Sequence, residues 1–336
     1  MRILITGTAG FMASHLAEQL ANEGHNVLGI DNMSIGIKDN IPSNIGFVKC
    51  DLAKDKELLD KTIEDFKPEL VYHLAAWAHE GLSQFMPRLI TENNYNAFLN
   101  LIIPCINNGM KRIVVCSSMS VYGSQTPPFS EELPIQPDDV YAVAKGAMEL
   151  STEILADVHG FDYTIIRPHN VYGPRQMLHD PYRNVIGIFM NRAMKGLPPI
   201  IYGDGEQTRA FSYIDDVTPY IAKAGFIKEA KGQIINVGPL EEYSINELAK
   251  EVLEAFDLSN LKPTHMADRP REVKNAYSTN DKAKRILGYK TTVKFKEGIQ
   301  KMAEWAKTQG PQEFIYLDQL ELQGDKIPQT WKKKLI

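Results

Sequence analysis

The sequence predicts an α/β protein in which a doubly wound parallel sheet is followed by a smaller C-terminal α/β lobe. Over the first 170 residues, short β-branched runs alternate with longer segments of helical period. A glycine-containing loop directly follows the first of these runs and opens the first helix. Beyond residue 170, Gly and Pro break the alternation into shorter elements. We therefore expect a sheet domain over residues 1–170, with some later segments returning to it, a second lobe over 171–310 and an arm of unassigned role over 311–336.

The first domain contains six predicted strands and four predicted helices. Strands are expected at Ile3–Thr6, Val27–Ile30, Phe47–Cys50, Leu70–Leu74, Ile113–Ser117 and Tyr163–Arg167. Helices are expected at Met12–Asn22, Lys56–Phe66, Leu89–Asn107 and Tyr141–His159, where apolar residues such as Leu16 and Leu20 recur at helical spacing.

The second half has shorter elements. Helices are predicted at Tyr182–Lys195, Val217–Glu229, Ile245–Phe256, Asp281–Leu287 and Phe295–Lys307, with strands at Ile200–Tyr202 and Ile234–Val237. Residues 311–336 have no clear period, and we expect them to pack on the body of the protein or on a second subunit.

The composition is that of a globular protein that does not bind nucleic acid or span a membrane. Lys and Arg number 37 against 42 Asp and Glu, for a net charge of −5, so no concentrated positive face for phosphates is expected. The one basic run, at Trp331–Lys334, is short and terminal, as a solvated tail would be. No segment reaches eighteen uninterrupted apolar residues, and no export signal is recognisable. Cys50, Cys105 and Cys116 lie in apolar stretches, which favours buried free thiols and a cytoplasmic location.

The loop after the first strand has the context of a dinucleotide-binding fingerprint. Gly7 and Gly10 allow a tight turn and close approach of the backbone to a pyrophosphate, whose charge then lies at a helix N-terminus. Ala13 occupies the third small position, where helix and strand must pack closely. An ordinary tight turn is the alternative. The pattern places the Rossmann cofactor contacts at Gly7, Ala9, Gly10, Phe11 and Met12.

An acidic residue at the end of the second strand predicts which dinucleotide is bound. Asp31 follows Gly10 by 21 residues, and a carboxylate there accepts hydrogen bonds from ribose hydroxyls while repelling the extra phosphate of NADP. We therefore predict NAD, with Asn32 beside it. The alternative is a turn in which Asp31 caps the segment that begins at Asn32.

Two further strand ends are candidate cofactor contacts. Asp51 and Leu52 follow the third strand, where a side chain reaches toward the adenine, although an N-cap explains Asp51 equally well. Leu74, Ala75 and Ala76 end the fourth strand in small residues that leave space for a cofactor; close helix packing is the alternative.

A Tyr and a Lys four residues apart provide the candidate chemistry. Tyr141 and Lys145 lie on one face of a predicted helix. A phenol titrates near about 10, and a nearby positive charge lowers its pKa, so Tyr141 is a candidate general base. The serine-rich segment after the fifth strand, from Ser117 to Gly123, offers a hydroxyl donor to the same substrate oxygen.

Taken in order, these motifs resemble the extended short-chain dehydrogenase/reductase family and, within it, the nucleotide-sugar epimerases and dehydratases of the UDP-glucose/galactose 4-epimerase kind. The resemblance covers about the first 310 residues. Beyond the segments already described, it includes Asn94, the run Arg167–Pro174, Gly203–Gly205 and Phe211–Val217.

The resemblance implies a role for each matching residue. Tyr141 would be the base, Lys145 would bind the nicotinamide ribose and lower the Tyr pKa, and Ser118 would be the hydroxyl donor. Further cofactor contacts would come from Asn94, Ser117 and His169. The nucleotide-diphosphate sugar would contact Asn170, Arg209 and Arg271, because guanidinium groups form charge-assisted bonds with a diphosphate. Such enzymes commonly form homodimers through two long helices, here Leu89–Asn107 and Tyr141–His159.

Departures from the family pattern narrow the reaction. The 4,6-dehydratases carry acidic residues after the hydroxyl donor, where this chain has Met119 and Ser120. The 3,5-epimerases have a Cys at the position of Ser120 and a Lys near His179. C4 epimerisation through a transient ketone is therefore the leading hypothesis. A C4 dehydrogenase that releases the ketone and a non-catalytic NAD sensor remain as alternatives.

A segment after the fourth strand differs from the UDP-galactose 4-epimerase pattern. His79 and Glu80 follow that strand, so they are candidates for contact with the sugar as a second acid/base pair. The alternative is a surface loop of incidental polarity. The segment Met177–Asn184 also departs from the pattern and could select another base or a larger sugar. The histidines show no metal-ligand spacing, and no metal is expected.

Overall fold

The computed structural model describes residues 1–269 and 273–336, with a seven-stranded parallel sheet at its centre. The strands are β1 (Arg2–Thr6), β2 (Asn26–Asp31), β3 (Gly46–Lys49), β4 (Leu70–His73), β5 (Arg112–Cys116), β6 (Asp162–Pro168), β7 (Val171–Tyr172), β8 (Ile200–Tyr202), β9 (Thr208–Arg209), β10 (Ser212–Tyr213), β11 (Gln233–Val237), β12 (Tyr243–Ser244), β13 (Thr264–Met266) and β14 (Asn275–Ala276). The order in the central sheet is β3-β2-β1-β4-β5-β6-β11. The strand order reverses beside β1, where open α/β sheets bind ligands.

Helices flank the sheet and build the second lobe. They are α1 (Phe11–Asn22), α2 (Lys56–Phe66), α3 (Glu80–Ser83), α4 (Pro87–Thr91), α5 (Ala97–Asn107), α6 (Val140–His159), α7 (Val185–Met194), α8 (Thr218–Ala224), α9 (Ile245–Ala255), α10 (Asp281–Leu287), α11 (Phe295–Gln309) and α12 (Gln329–Lys332). No helix in the described residues combines the length and apolarity needed to cross a membrane.

Both faces of the sheet are covered, as the predicted doubly wound class requires. On one face Leu16 and Leu20 of α1 join a core that continues through Ile221 of α8 into the second lobe. On the other face, α2, α5 and α6 form a separate core that includes Phe98 and Met148. The predicted fold class is therefore confirmed, and the strands read as apolar runs because both of their faces are buried.

The predicted elements are found, most of them with small changes of boundary. The helix predicted at Val217–Glu229 ends early, at Ala224. The segment predicted as one helix over Leu89–Asn107 is α4 and α5 joined by a π-helical turn at Glu92–Asn96. The strand assigned to the second half, Ile234–Val237, pairs with β6 at the edge of the central sheet. Periodicity alone does not say which sheet a strand joins, because pairing depends on contacts distant in sequence.

The second lobe places its small strands and helices beside the carboxyl ends of the central strands. α7, α9 and α11 pack together, and β9 pairs with β12 and β14. The arm after Gly310 returns along this lobe and packs on the body of the protein. One cavity is thereby enclosed between the sheet edge, the lobe and the arm.

Candidate active site

A cavity of about 520 Å³ lies at the carboxyl ends of the central strands. Its walls come from the loops that follow β1, β2, β3, β4, β5 and β6 and from the second lobe. Of the predicted site residues, the structure brings together here Gly7, Ala9, Gly10, Phe11, Met12, Asp31, Asn32, Asp51, Leu52, Leu74, Ala75, Ala76, Glu80, Ser117, Ser118, Tyr141, Lys145, Asn170 and Arg209.

The loop after β1 leaves no room for a side chain at its first glycine. Gly7 has φ +81°, and a Cβ there would lie 2.9 Å from the backbone of Ala75. Gly10 is the N-cap of α1 and has no side chain to satisfy the first N–H groups of that helix. The backbone at this point therefore presents donors and a helix dipole to the cavity.

Asp31 is fixed at the edge of the cavity by two backbone donors. One carboxylate oxygen accepts from the N–H of Ala9 at 3.0 Å and the other from the N–H of Met33 at 2.8 Å. The side chain is 9% exposed, and burial raises its pKa. The hydrogen bond from the Met33 N–H is a local turn contact. The alternative interpretation, in which Asp31 is a turn residue, therefore accounts for part of this geometry. Each oxygen retains a lone pair for a further donor.

Asp51 lies at a turn before α2 and is not the N-cap of that helix, which is Asp55. The Asp51 carboxylate accepts from the N–H of Ala53 at 2.9 Å, as a turn residue does, and from the amide of Asn32 at 3.3 Å. It also lines the cavity. The two residues thereby connect the ends of β2 and β3.

Three residues of α6 lie on one face of the helix toward the site. Tyr141, Lys145 and Glu149 follow one another at intervals of four residues and are buried. The Lys145 ammonium donates to the carbonyl of Cys116 at 2.7 Å and lies 5.7 Å from the centroid of the Tyr141 ring. Ser118 lies close enough to Tyr141 to lower its pKa slightly.

The electrostatics of Tyr141 differ from the expectation. Burial raises its pKa well above the ordinary value, and the charge of Glu80 raises it further. The cationic group that lowers it is Arg183, and the nearby Ser118 side chain lowers it slightly; Lys145 is bound to a carbonyl oxygen instead. The phenol is therefore protonated in this state of the protein, because burial disfavours the phenolate more than these groups stabilise it.

The Ser118 hydroxyl is held in place by Ser120, the position where this chain lacks the carboxylate of the dehydratases. The Ser118 hydroxyl oxygen accepts from the N–H of Ser120 at 3.1 Å and from its hydroxyl at 2.9 Å. With those two bonds accepted, the proton of Ser118 is free to be donated to Tyr141 or to a substrate oxygen. The sequence signal for this interaction was Ser120, which lies two residues after the N-cap residue Ser118.

Glu149 joins the catalytic helix to the sheet. Its carboxylate accepts from the Arg167 guanidinium at 2.9 and 2.5 Å, and also accepts from the hydroxyl of Ser117. The side chains of the pair are at most 2% exposed. Ser117 lines the cavity, but its hydroxyl is directed to Glu149. No local pattern indicates this pair, because its partners belong to different elements.

Comparison with known proteins identifies the family. The sequence profile of the NAD dependent epimerase/dehydratase family matches residues 3–238. The chain belongs to this family.

Its relatives include sugar-nucleotide epimerases. The UDP-glucose 4-epimerase of Mycolicibacterium smegmatis is 33% identical over 91% of this chain and 98% of its own. The Thermotoga maritima UDP-glucose 4-epimerase, solved with UDP-glucose, has a TM-score of 0.88 at 30% identity, covering 92% of this chain and 99% of that one. The Bacillus cereus UDP-glucuronic acid 4-epimerase, solved with UDP-glucuronic acid and NAD, has a TM-score of 0.82 at 28% identity, covering 92% and 100%.

As a member of the NAD-dependent family, this protein uses NAD, and the described residues fit that cofactor. A Cβ at Gly7 would fill the space beside the backbone of Ala75, so only glycine leaves that space open. The helix N-terminus after Gly10 suits a pyrophosphate. Asp31 has acceptor capacity left for a ribose. Tyr141 and Lys145 line the same cavity.

Three predicted site residues are corrected by their side-chain directions. The Asn94 amide donates to the carbonyls of Trp77 and Ile90, so it anchors the loop after β4 from behind, and its neighbour Asn93 lines the cavity instead. His169 is buried against Ser278, and burial lowers its pKa to about 4. These positions were predicted from motifs, which do not fix the direction of a side chain.

The third residue is His79, which is not among the residues that line the cavity. Its ring nitrogen is 2.7 Å from the carboxylate of Asp180, and both side chains are buried. The charge of His79 lowers the pKa of Asp180 against the effect of burial. The pair joins the loop after β4 to the segment before α7. Glu80, by contrast, lines the cavity.

The cavity is also lined by two of the residues implied to bind phosphate. Asn170 donates to the carbonyl of Ala210 at 2.9 Å, and the Arg209 guanidinium donates to the carbonyls of Val273 and Lys274. Arg271 lies outside the described residues. Arg183 was mentioned in the sequence only within a divergent segment, yet it lines the cavity close enough to influence Tyr141.

Proposed function

We propose that this protein is a nucleotide-diphosphate-sugar 4-epimerase that oxidises the sugar at C4 to a transient ketone and reduces it from the opposite face. The observation that carries this proposal is the placement of Tyr141, Ser118 and Lys145 together on the wall of one cavity, with the Lys145 ammonium 5.7 Å from the centroid of the Tyr141 ring. When bound, NAD supplies the reversible two-electron oxidation of the reacting carbon.

The chain's own residues move the proton. In the reacting state Tyr141 acts as the phenolate: its oxygen accepts the proton of the C4 hydroxyl and returns it after the ketone has turned, whereas in the state described above burial keeps the phenol protonated. Lys145 and Arg183 supply positive charge near that proton, and Ser118 donates a hydrogen bond to the same substrate oxygen. Asn170 and Arg209 lie where they would contact the diphosphate. Holding that end while the ring turns concentrates binding energy away from the reacting carbon.

The residues after the hydroxyl donor do not favour dehydration. Met119 is apolar, and the Ser120 hydroxyl is directed to Ser118. Neither side chain is a carboxylate that could expel water from the sugar. A C4 dehydrogenase that releases the ketone uses the same groups, so it is the second candidate.

Turnover of a substrate panel tests the proposal. Purified protein is incubated with UDP-glucose, UDP-glucuronic acid, GDP-mannose and dTDP-glucose, while NMR follows the anomeric and C4 protons and absorbance follows NADH. We expect a new epimer without accumulation of NADH. A ketone with stoichiometric NADH would establish the C4 dehydrogenase. NAD binding without any turnover would leave the non-catalytic NAD sensor as the remaining interpretation.

The role of Tyr141 is tested in the same assay. Tyr141→Phe removes the proton acceptor, and we expect kcat to fall by about 10²–10⁴ while NAD affinity stays within about threefold. Tyr220→Phe, on α8 outside the cavity lining, is the matched control. Activity near wild type in Tyr141→Phe would remove this residue from the mechanism.

We also propose that the protein is a homodimer that pairs through α5 and α6. Val143, Leu150, Ile154 and Val158 form an exposed apolar stripe on α6, with Ile154 at 64% and Val158 at 68% exposure. Ile103 is exposed on α5. An isologous contact between two copies of this face would bury the stripe in a four-helix arrangement.

Light scattering after size exclusion measures the oligomeric state. We expect a dimer for the wild type and a monomer for Ile154→Glu, whereas Leu58→Glu, an exposed apolar position on α2, should remain dimeric. A monomeric wild type at micromolar concentration contradicts the proposal.

We further assign the reaction to the cytoplasm. Cys50, Cys105 and Cys116 are free and buried. Burial raises the pKa of the Cys50 thiol to about 11, which keeps it protonated and unreactive. Unpaired structural thiols of this kind are typical of a reducing compartment.

A further inference from the structure

The arm over residues 311–336 lies along the cavity and is attached to its rim. Its backbone donates hydrogen bonds at three points spaced along the first half of the arm. The bonds run from Ile315 N–H to the His179 carbonyl, from Leu317 N–H to the Tyr182 hydroxyl and from Leu322 N–H to the Phe85 carbonyl, each at 3.0 Å. These partners belong to the two segments that diverge from the UDP-galactose 4-epimerase pattern.

Side chains hold the arm as well. The Glu321 carboxylate accepts from the N–H groups of Arg88 and Leu89 at 2.9 Å each, which caps the start of α4. Near the C-terminus, Arg192 donates to the carbonyl of Leu335 at 2.9 Å. An arm fixed at both ends by buried or capping groups is a wall rather than a loose tail.

Trp331 brings this wall into the cavity. The side chain is 6% exposed and packs edge-on against Tyr182, at 5.1 Å between ring centroids, and against Phe85, at 5.9 Å. Trp331 lines the cavity together with Pro328 and Ile336.

Trp331 belongs to a buried apolar cluster that reaches Tyr141. The cluster also includes Leu82, Phe85 and Tyr182. Gly81 lies directly beneath the indole, because a Cβ at that position would be 3.7 Å from Trp331. The arm therefore meets the cavity on the side of Tyr141 and Glu80.

We infer that the C-terminal arm is the roof of the sugar subsite and that Trp331 is a specificity-determining residue that contacts the sugar and limits its size. The inference rests on the proposed 4-epimerase function. A ketone that turns within the site must be enclosed, because water and open space allow it to escape, and an aromatic wall excludes water from the reacting end.

Part of this chain has no counterpart in a solved relative. The alignment with the Thermotoga maritima enzyme covers 99% of that protein but 92% of this chain. The remainder matches the arm in length to within a few residues. We therefore expect the roof to restrict the choice of sugar beyond what the shared motifs determine.

Substrate competition between sugars of different size tests the role of Trp331. Trp331→Ala opens the roof, so we expect the ratio of kcat/KM for UDP-N-acetylglucosamine to that for UDP-glucose to rise at least tenfold. Trp331→Phe should stay within about threefold of wild type. Ile315→Ala changes an exposed side chain of the same arm outside the cavity lining and should leave the ratio unchanged. An equal fall for both sugars, with the ratio unchanged, overturns the specificity role.

Hydrogen exchange on the wild-type holoenzyme tests the roof without any substitution. In the presence of NAD, saturating UDP-glucose should slow exchange in peptides spanning 327–336 by at least tenfold, and UDP alone should slow it by less than threefold. Equal protection by the two ligands would place the arm over the nucleotide, and binding without protection would remove it from the site; either result overturns the inference.

The two proposals fail in different ways. If UDP-glucose protects the arm but no sugar is turned over, the epimerase proposal fails and the roof stands. If sugars are epimerised but the arm shows no protection, the roof fails alone. Melting temperature and NAD content of Trp331→Ala separate a misfolded variant from an opened site.

Discussion

Glu149→Gln should destabilise the protein through the face of α6 that carries Tyr141 and Lys145. The Glu149 carboxylate accepts two bonds from Arg167, at 2.9 and 2.5 Å, and one from Ser117. Glutamine keeps the volume and one acceptor but removes the charge, which leaves the buried guanidinium uncompensated. Breaking a buried ion pair in this way costs about 3–5 kcal/mol. We expect about 3 kcal/mol, since the amide oxygen of Gln still accepts one bond.

That cost is large against a total unfolding free energy of about 5–15 kcal/mol. Equilibrium urea unfolding, followed by circular dichroism at one fixed excess of NAD, measures it as a lower midpoint at an unchanged slope. Glu297→Gln is the matched control, because its bond to Lys301 at 2.7 Å is half-exposed and should contribute far less to stability than the buried pair.

A double variant separates the charge from the packing. Glu149→Gln combined with Arg167→Met removes both charges, so the pair should cost less than the sum of the two single changes. A decrease in unfolding free energy of less than about 1 kcal/mol in Glu149→Gln would refute the interpretation of Glu149 and Arg167 as a coupled buried ion pair. Strict additivity in the double variant would refute it as well.

Three further predictions follow from the site. Gly7→Ala should abolish NAD binding in calorimetry, because the new Cβ would lie 2.9 Å from the backbone of Ala75; an unchanged affinity would contradict the loop assignment. Glu80→Gln should move the ascending limb of the kcat–pH profile to lower pH, since the Glu80 charge raises the pKa of Tyr141; a shift to higher pH would be the opposite of the expected sign. Burial, then the charge of Glu80, raises the pKa of Asp139 to about 7, so the folded state binds this proton more tightly than the unfolded state and loses stability as the pH rises from about 4 to 7. Asp139→Asn should remove that loss. The unfolding free energy of the variant minus that of wild type should therefore be larger at pH 8 than at pH 4, by about 1–4 kcal/mol. A difference that does not change with pH would contradict this prediction.

Much of the cofactor half was predictable because its signals are local. Gly7 and Gly10 follow a strand and open a helix, and Asp31 ends the next strand, so their positions are set by a few consecutive residues. Tyr141 and Lys145 share a helix face for the same reason. Strand ends of a parallel sheet meet at one edge, which brings these local features into one cavity.

The tertiary structure alone decided the directions of side chains and the partners of buried charges. His79 turns to Asp180, and Glu149 to Arg167, because burial of a charged or polar group requires a partner, and those partners are distant in the chain. The same need directs Asn94 to the carbonyl of Trp77.

The sequence by itself determined the fold class, the cofactor loop and the helix face shared by Tyr141 and Lys145, since these follow from short-range periodicity and spacing. The edge position of β11 and the course of the arm to Trp331 required the folded chain. Both depend on surfaces that exist only after distant segments have packed, and no local pattern encodes which surface a strand or an arm will meet.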